Sequence, residues 1–130
     1  MKLNPFNKKS SKGQQAENIA CDYLKKNGLK LIDRNFYSRY GEIDIIMQHK
    51  NTLVFVEVRY RKNADFGGAK ASITTSKQSK VRKTALYYMQ IKGREFNSRI
   101  DVIAITDTAD NKTKSKNQNE PVIEWIQNAF

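Results

Sequence analysis

Apolar residues recur along the chain in two rhythms. Ala16, Ile19, Ala20, Tyr23 and Leu24 return at helical spacing, which predicts a helix over Gly13–Asn27 with one apolar face, stopped by Gly28. Val81, Ala85, Leu86, Tyr88 and Met89 form a similar stripe, on a helix capped by Thr74 or Thr75 and running to about Lys92, with Gly93 at its end. Between and after them the rhythm shortens. Gly41–Gln48 (GEIDIIMQ) and Leu53–Tyr60 (LVFVEVRY) are the clearest strands, rich in Ile, Val and Phe. Leu29–Tyr37, Arg99–Thr106 and Val122–Ile126 are three more. The order α-β-β-β-α-β-β is that of one α/β domain with a central mixed sheet flanked by two helices. Leu53–Tyr60 is nearly all apolar, as expected of a central strand covered on both faces.

The break between the two clearest strands fixes a register. If Lys50 and Asn51 make a two-residue turn, His49 faces Thr52, Asp44 falls opposite Glu57, and Glu42 falls opposite Arg59. Opposed residues share a face, with Cβ atoms roughly 4.5–5.5 Å apart. Two carboxylates so placed repel unless a positive charge sits between them. One reading is a divalent cation, since Mg²⁺ takes one or two carboxylates and completes its shell with water and phosphate. The other is a surface cross-strand salt-bridge patch of Asp44, Glu57, Glu42 and Arg59. Glu57 interrupts an otherwise buried strand, where a carboxylate is costly unless paired or metal-bound; this favours the metal.

Charge extends the picture. The 130 residues include 24 Lys and Arg against 13 Asp and Glu, a net charge of +11. Such an excess points to a polyanionic partner, nucleic acid or an anionic membrane surface. The strongest apolar segments read as strands, which argues against a membrane helix. No apolar run reaches the roughly 20 residues of a membrane span. Residues 1–11 are polar and basic without an apolar signal core, and Cys21 is the single cysteine. The expectation is a cytoplasmic protein with a flexible basic arm over 1–11 and a single domain over 12–130. Within that domain, 107–120 is polar and reads as a mobile loop. Cys21 is expected to pack against the sheet and His49 to be a turn residue. No zinc spacing, phosphate-cradling glycine loop or Ser-His-Asp arrangement is visible.

Several short stretches then coincide with a known family. They are Ala16-Glu17 in the opening helix, Arg34-Asn35-Phe36, Gly41-Glu42-Ile43-Asp44, Phe55 to Arg61 (FVEVRYR), Phe66-Gly67, Lys77-Gln78, Arg99-Ile100-Asp101-Val102 and the terminal Ile126 to Phe130. In this order and spacing the chain resembles the YraN-like family of small bacterial proteins. That family is related to archaeal Holliday-junction resolvases, within the PD-(D/E)xK nuclease superfamily. The resemblance implies a restriction-endonuclease-like core. Asp44 would match the superfamily aspartate, Glu57 the acidic residue of (D/E)xK, and Glu17 a carboxylate that some relatives supply from the first helix. The superfamily lysine position holds Arg59, which stays protonated and cannot act as a general base, although it can stabilise charge on phosphate.

The residues beside the acidic pair complete the expectation. Gln78 lies on the axis of the second apolar stripe, either reaching a metal-bound water or phosphate, or bonding a nearby backbone group. Glu17 reaches the site or stays in solvent. Lys77, Lys80 and Lys83 fall on the opposite side of the helix with Tyr87, and join Arg59, Arg61, Lys62 and Lys70 in a phosphate-tracking surface. The reading is a nucleic-acid-binding protein of nuclease fold that hydrolyses DNA, rather than RNA, with Mg²⁺ or Mn²⁺, branched DNA being implied by the resemblance alone. Asp44, Glu57 and the Val58 carbonyl would hold metal, with Glu17 assisting and with Arg59 and Gln78 orienting phosphate and water. A homodimer would suit symmetric cutting of a junction. The alternative is a non-catalytic nucleic-acid-binding module on the same fold.

Overall fold

The computed structural model describes residues 11–62, 72–93, 97–107 and 120–130. Helix α1 (Ser11–Lys26) is followed by strands β1 (Lys30–Ser38), β2 (Gly41–His49) and β3 (Thr52–Arg61), then helix α2 (Thr75–Ile91) and strands β4 (Asn97–Thr106) and β5 (Val122–Ile126). The strands form one five-stranded sheet in the order β1-β2-β3-β4-β5. β3 and β4 run parallel, and the other neighbours are antiparallel. A parallel pair needs a crossover, which α2 supplies. The expected arm over 1–11 and loop over 107–120 fall almost wholly outside the described residues, as do Phe66-Gly67 and Lys70.

Each helix covers one face of the sheet. Ala16, Ala20, Cys21 and Leu24 of α1 pack on Ile45, Met47, Val54, Val56 and Ile103. Val81, Ala85 and Tyr88 of α2 pack on Ile46, Leu53, Phe55 and Ile100. Burial on both faces explains the unbroken apolar run of β3. Gly28 takes φ +90°, a left-handed conformation that lets the chain leave α1. Thr74 caps α2, its side chain accepting from the Lys77 N–H at 3.1 Å. The stripe of α2 is centred differently from the sequence expectation. Val81, Thr84, Ala85 and Tyr88 are buried, while Leu86 is 64% exposed. Thr84 can be buried because its hydroxyl donates to the Lys80 carbonyl at 2.8 Å.

The β2–β3 hairpin has the expected register. His49 pairs with Thr52, and the ladder continues through Ile45↔Val56. Its positive φ falls on Lys50 (+56°). Beyond Ile45↔Val56 no further β2–β3 pair forms. From there β2 continues along β1, as far as Ser38↔Gly41, and β3 continues along β4, as far as Arg61↔Thr106. The sheet therefore splits between β2 and β3, and Asp44 and Glu57 occupy the first positions past the split. Asn35 on β1 falls in register opposite Asp44, between the pairs Arg34↔Ile45 and Phe36↔Ile43, and takes φ +55°; the register shift of the β1–β2 ladder lies between Leu31 and Asp33.

A buried carboxylate fixes the far side of the sheet. Asp101 on β4 is fully buried and is satisfied from three directions: by Arg99 Nε (3.0 Å), Trp125 Nε1 (2.9 Å) and the Asn128 N–H (2.9 Å). It ties β5 and the following residues to the centre of the sheet. Among the described residues no helix is long and apolar enough to cross a membrane.

Candidate metal centre

The split between β2 and β3 opens into a cleft of about 180 Å³. It is lined by Gly13, Ala16 and Glu17 of α1, Asp44 of β2, Glu57 to Tyr60 of β3 and Lys77 of α2. Parting of the strands removes the backbone partner that the Val58 N–H would find in a continuous ladder. Asp44 Oδ2 takes its place and accepts from the Val58 N–H at 2.9 Å. The N–H and C=O of a strand residue point to the same edge, so the Val58 carbonyl also faces the cleft.

Asp44 and Glu57 are both buried. Burial, then the adjacent Asp44, pushes the Glu57 carboxyl up to about 9, although Lys77 pulls in the opposite direction. Lys77 Nζ stands 3.2 Å from Glu57 Oε2. Glu57 Oε1 is buried without a hydrogen-bond partner among the described residues. An orphaned carboxylate oxygen beside a second carboxylate and a carbonyl is a donor set suited to a hard divalent cation. Among the described residues no group of three or more His, Cys, Asp or Glu side chains is arranged to hold a metal ion. A cation held here would have two carboxylates plus backbone, the kind of set Mg²⁺ uses when waters and substrate phosphate fill its remaining positions.

The other expected residues divide clearly. Glu17 is buried, lines the cleft and lies 3.6 Å from Arg34 Nη2, so it does not stay in solvent. Arg59 is exposed at the mouth of the cleft. Glu42 lies opposite Tyr37 of β1, and β2 and β3 have parted before Arg59, so the strand pairing that the salt-bridge patch required is absent. Gln78 does not line the cleft. Its amide donates to the Ile73 carbonyl at 3.1 Å, which is the backbone-bonding alternative. Lys77, expected on the outer face, lines the cleft instead. The signal was present: Lys77 precedes the buried Val81, Thr84 and Tyr88 by four, seven and eleven residues, which places all four on one helical line. Arg61 is held on the sheet by Glu124 (3.7 Å) and Thr106 (3.4 Å) rather than directed outward. Lys62, Lys80 and Lys83 are exposed, and Cys21 is buried in the core under α1.

A five-stranded mixed sheet between two helices, with the order α-β-β-β-α-β-β and an acidic pair at a central split, is consistent with a nuclease-like α/β core. Residues 16–105 match the model of the uncharacterised protein family UPF0102, and the chain belongs to that family, as the YraN-like resemblance anticipated. It is 50% identical over 121 residues to a UPF0102 protein of Psychromonas ingrahamii, covering 93% of this chain and 90% of the relative. Over 124 residues it is 44% identical to one of Colwellia psychrerythraea, covering 93% and 89%. Over 122 residues it is 48% identical to one of Legionella pneumophila, covering 92% and 93%.

Proposed function

We propose that this protein is a metal-dependent endonuclease that binds nucleic acid and hydrolyses phosphodiester bonds, with DNA as its substrate. The observation that carries this reading is the pair of buried carboxylates at the sheet split, one with an orphaned oxygen. A structural salt bridge would satisfy that oxygen. Asp44, Glu57 and the Val58 carbonyl would hold Mg²⁺ or Mn²⁺, which supplies polarisation of the phosphate and a lowered pKa for an attacking water.

The protein's own groups do the rest. The Val58 N–H fixes the Asp44 carboxylate. Glu57 is held between Asp44 and Lys77. Arg59 at the mouth keeps its charge at all working pH values and meets the incoming phosphate. Lys77 restores to the cleft, from α2, the lysine that β3 lacks. There it can orient the attacking water or stabilise charge building on the phosphate oxygens. Its presence weakens the case for a non-catalytic binding module, which rested on Arg59 alone.

The test is cleavage of linear and branched DNA with Mn²⁺ or Mg²⁺. Asp44→Asn is preferable to Asp44→Ala because its amide oxygen can still accept from the Val58 N–H. We expect metal-dependent cutting by the native sequence and a loss of roughly 100-fold or more in Asp44→Asn and Glu57→Gln. Equal activity in the variants would remove the catalytic role of the pair. DNA binding without cutting, in either metal, would establish the binding-module alternative.

A further inference from the structure

Along α2 from the cleft lies a second constellation that the acidic pair does not involve. The β1–β2 turn is pressed against the helix. Ser38 Oγ lies 3.4 Å from Thr84 Oγ1 and accepts from the Tyr40 N–H at 3.0 Å. Gly41 has φ +148°, and a methyl group built on it would lie 3.5 Å from Lys80 Cβ and 3.6 Å from Thr84 Oγ1. This docking brings three rings together at the surface. Tyr87 lies 6.0 Å from Tyr40 and 6.3 Å from Phe36, centroid to centroid. The Arg39 guanidinium sits over Tyr40, 4.9 Å from the ring centre, and Nη2 donates to its hydroxyl at 2.7 Å. Phe36 is anchored edge-on against Tyr88 in the core (5.0 Å), while Tyr87 is 37% exposed and Arg39 is exposed.

Charge says what kind of molecule this surface fits. The α2 sequence, TSKQSKVRKTALYYMQI, carries four cations and no acidic residue. Lys80 and Lys83 are exposed on the line that leads from Lys77, in the cleft, to Tyr87. Ten helical residues separate Lys77 from Tyr87, about 15 Å, or about four steps of a stacked nucleotide strand. Phosphate-binding cations interleaved with exposed rings are how proteins hold unpaired nucleotides. In a duplex the faces of the bases are hidden in the stack and only their edges are offered.

We propose that Arg39, Tyr40 and Tyr87 form a stacking platform for unpaired bases, with Lys80 and Lys83 holding the phosphates between the platform and the cleft. The partner is a nucleic acid with a single-stranded arm, rather than a blunt duplex. This inference rests on the nucleic-acid reading of the cleft and narrows its substrate class.

Fluorescence anisotropy in EDTA, where no cutting occurs, tests it with a labelled oligothymidylate, a forked duplex and a blunt duplex. Tyr87→Ala and Tyr40→Ala should each weaken oligothymidylate and fork binding about tenfold, and leave blunt-duplex binding within about twofold. Tyr87→Phe keeps the ring and should bind as the native sequence does. An equal loss on all three DNAs, or no loss on the single strand, overturns the platform. Either result leaves the nuclease reading standing, since that reading is scored by Mn²⁺-dependent cleavage. Failure of the native protein to bind the oligothymidylate and the fork also overturns the platform, while the nuclease reading stands or falls on the cleavage assay alone.

Discussion

Replacing Glu57 by glutamine should stabilise the metal-free protein at neutral pH. Burial and the neighbouring Asp44 raise Glu57 from an ordinary 4.5 to about 9. In the unfolded chain this carboxyl releases its proton near 4.5, whereas the folded protein retains it. Between those two values the native state binds the extra proton, so stability falls as pH rises, by about 1.4 kcal/mol per unit for this one group. Below 4.5 the penalty is absent, and above 9 it is complete. At pH 7 the difference of 7 − 4.5 units amounts to on the order of 3 kcal/mol. Glutamine has no proton to lose, and its amide can donate to Asp44 as the protonated carboxyl would. It gives up the contact with Lys77, which leaves a net gain of about 1–3 kcal/mol. For a domain of this size that is a rise in melting temperature of about 3–10 °C. The assay is thermal and urea unfolding in EDTA at pH 5 and pH 8. The advantage of the glutamine variant should be small at pH 5 and widen toward pH 8. Parallel pH profiles for the two proteins would refute the argument. The same substitution should abolish any stabilisation by Mn²⁺, because the metal must displace the Glu57 proton to bind.

Three further outcomes are expected. Lys77→Ala should retain the Mn²⁺-induced rise in melting temperature and lose cleavage by roughly 100-fold, which separates metal holding from phosphate chemistry when both are measured on one preparation. Asp101→Asn should cost about 2–4 kcal/mol in urea unfolding, since Asp101 is fully buried and the change leaves the partly buried Arg99 guanidinium without its counter-charge. Thr74→Ala removes the cap of α2 and should cost about 1 kcal/mol without changing the substrate preference of the cleft.

The fold was legible because its elements obey simple periods. β3 reads as a central strand from its apolar run, and the hairpin register follows from turn length alone. What the register could not convey is that the ladder ends at Ile45↔Val56. Strand parting is a property of how β2 follows β1 and how β3 follows β4, and no local residue pattern encodes it. The same limit explains the exchange of roles on α2. Gln78 and Lys77 differ by one residue, about 100° around the helix, so a stripe centred on Gln78 leaves Lys77 on the outer side. Taking Leu86 as part of the stripe moved its centre away from Lys77. Burial of Thr84, hidden by its hydroxyl, moves it back. Arg39 and Tyr40 carried no signal, because a turn becomes a surface only when something such as α2 receives it.

The closed end of the β2–β3 hairpin is stitched by five paired positions, while its open end carries an acid on each prong. In mechanical language the sheet is a pair of tweezers pivoting near His49 and Thr52, and the Asp44 bond to the Val58 amide is a light spring across the gap. Whatever bridges Asp44 and Glu57 therefore acts as a cross-brace and supplies the rung that the backbone omits. Ligand binding at this point would be felt as rigidity over the whole of β2 and β3, and amide exchange along both prongs should slow together when the gap is filled.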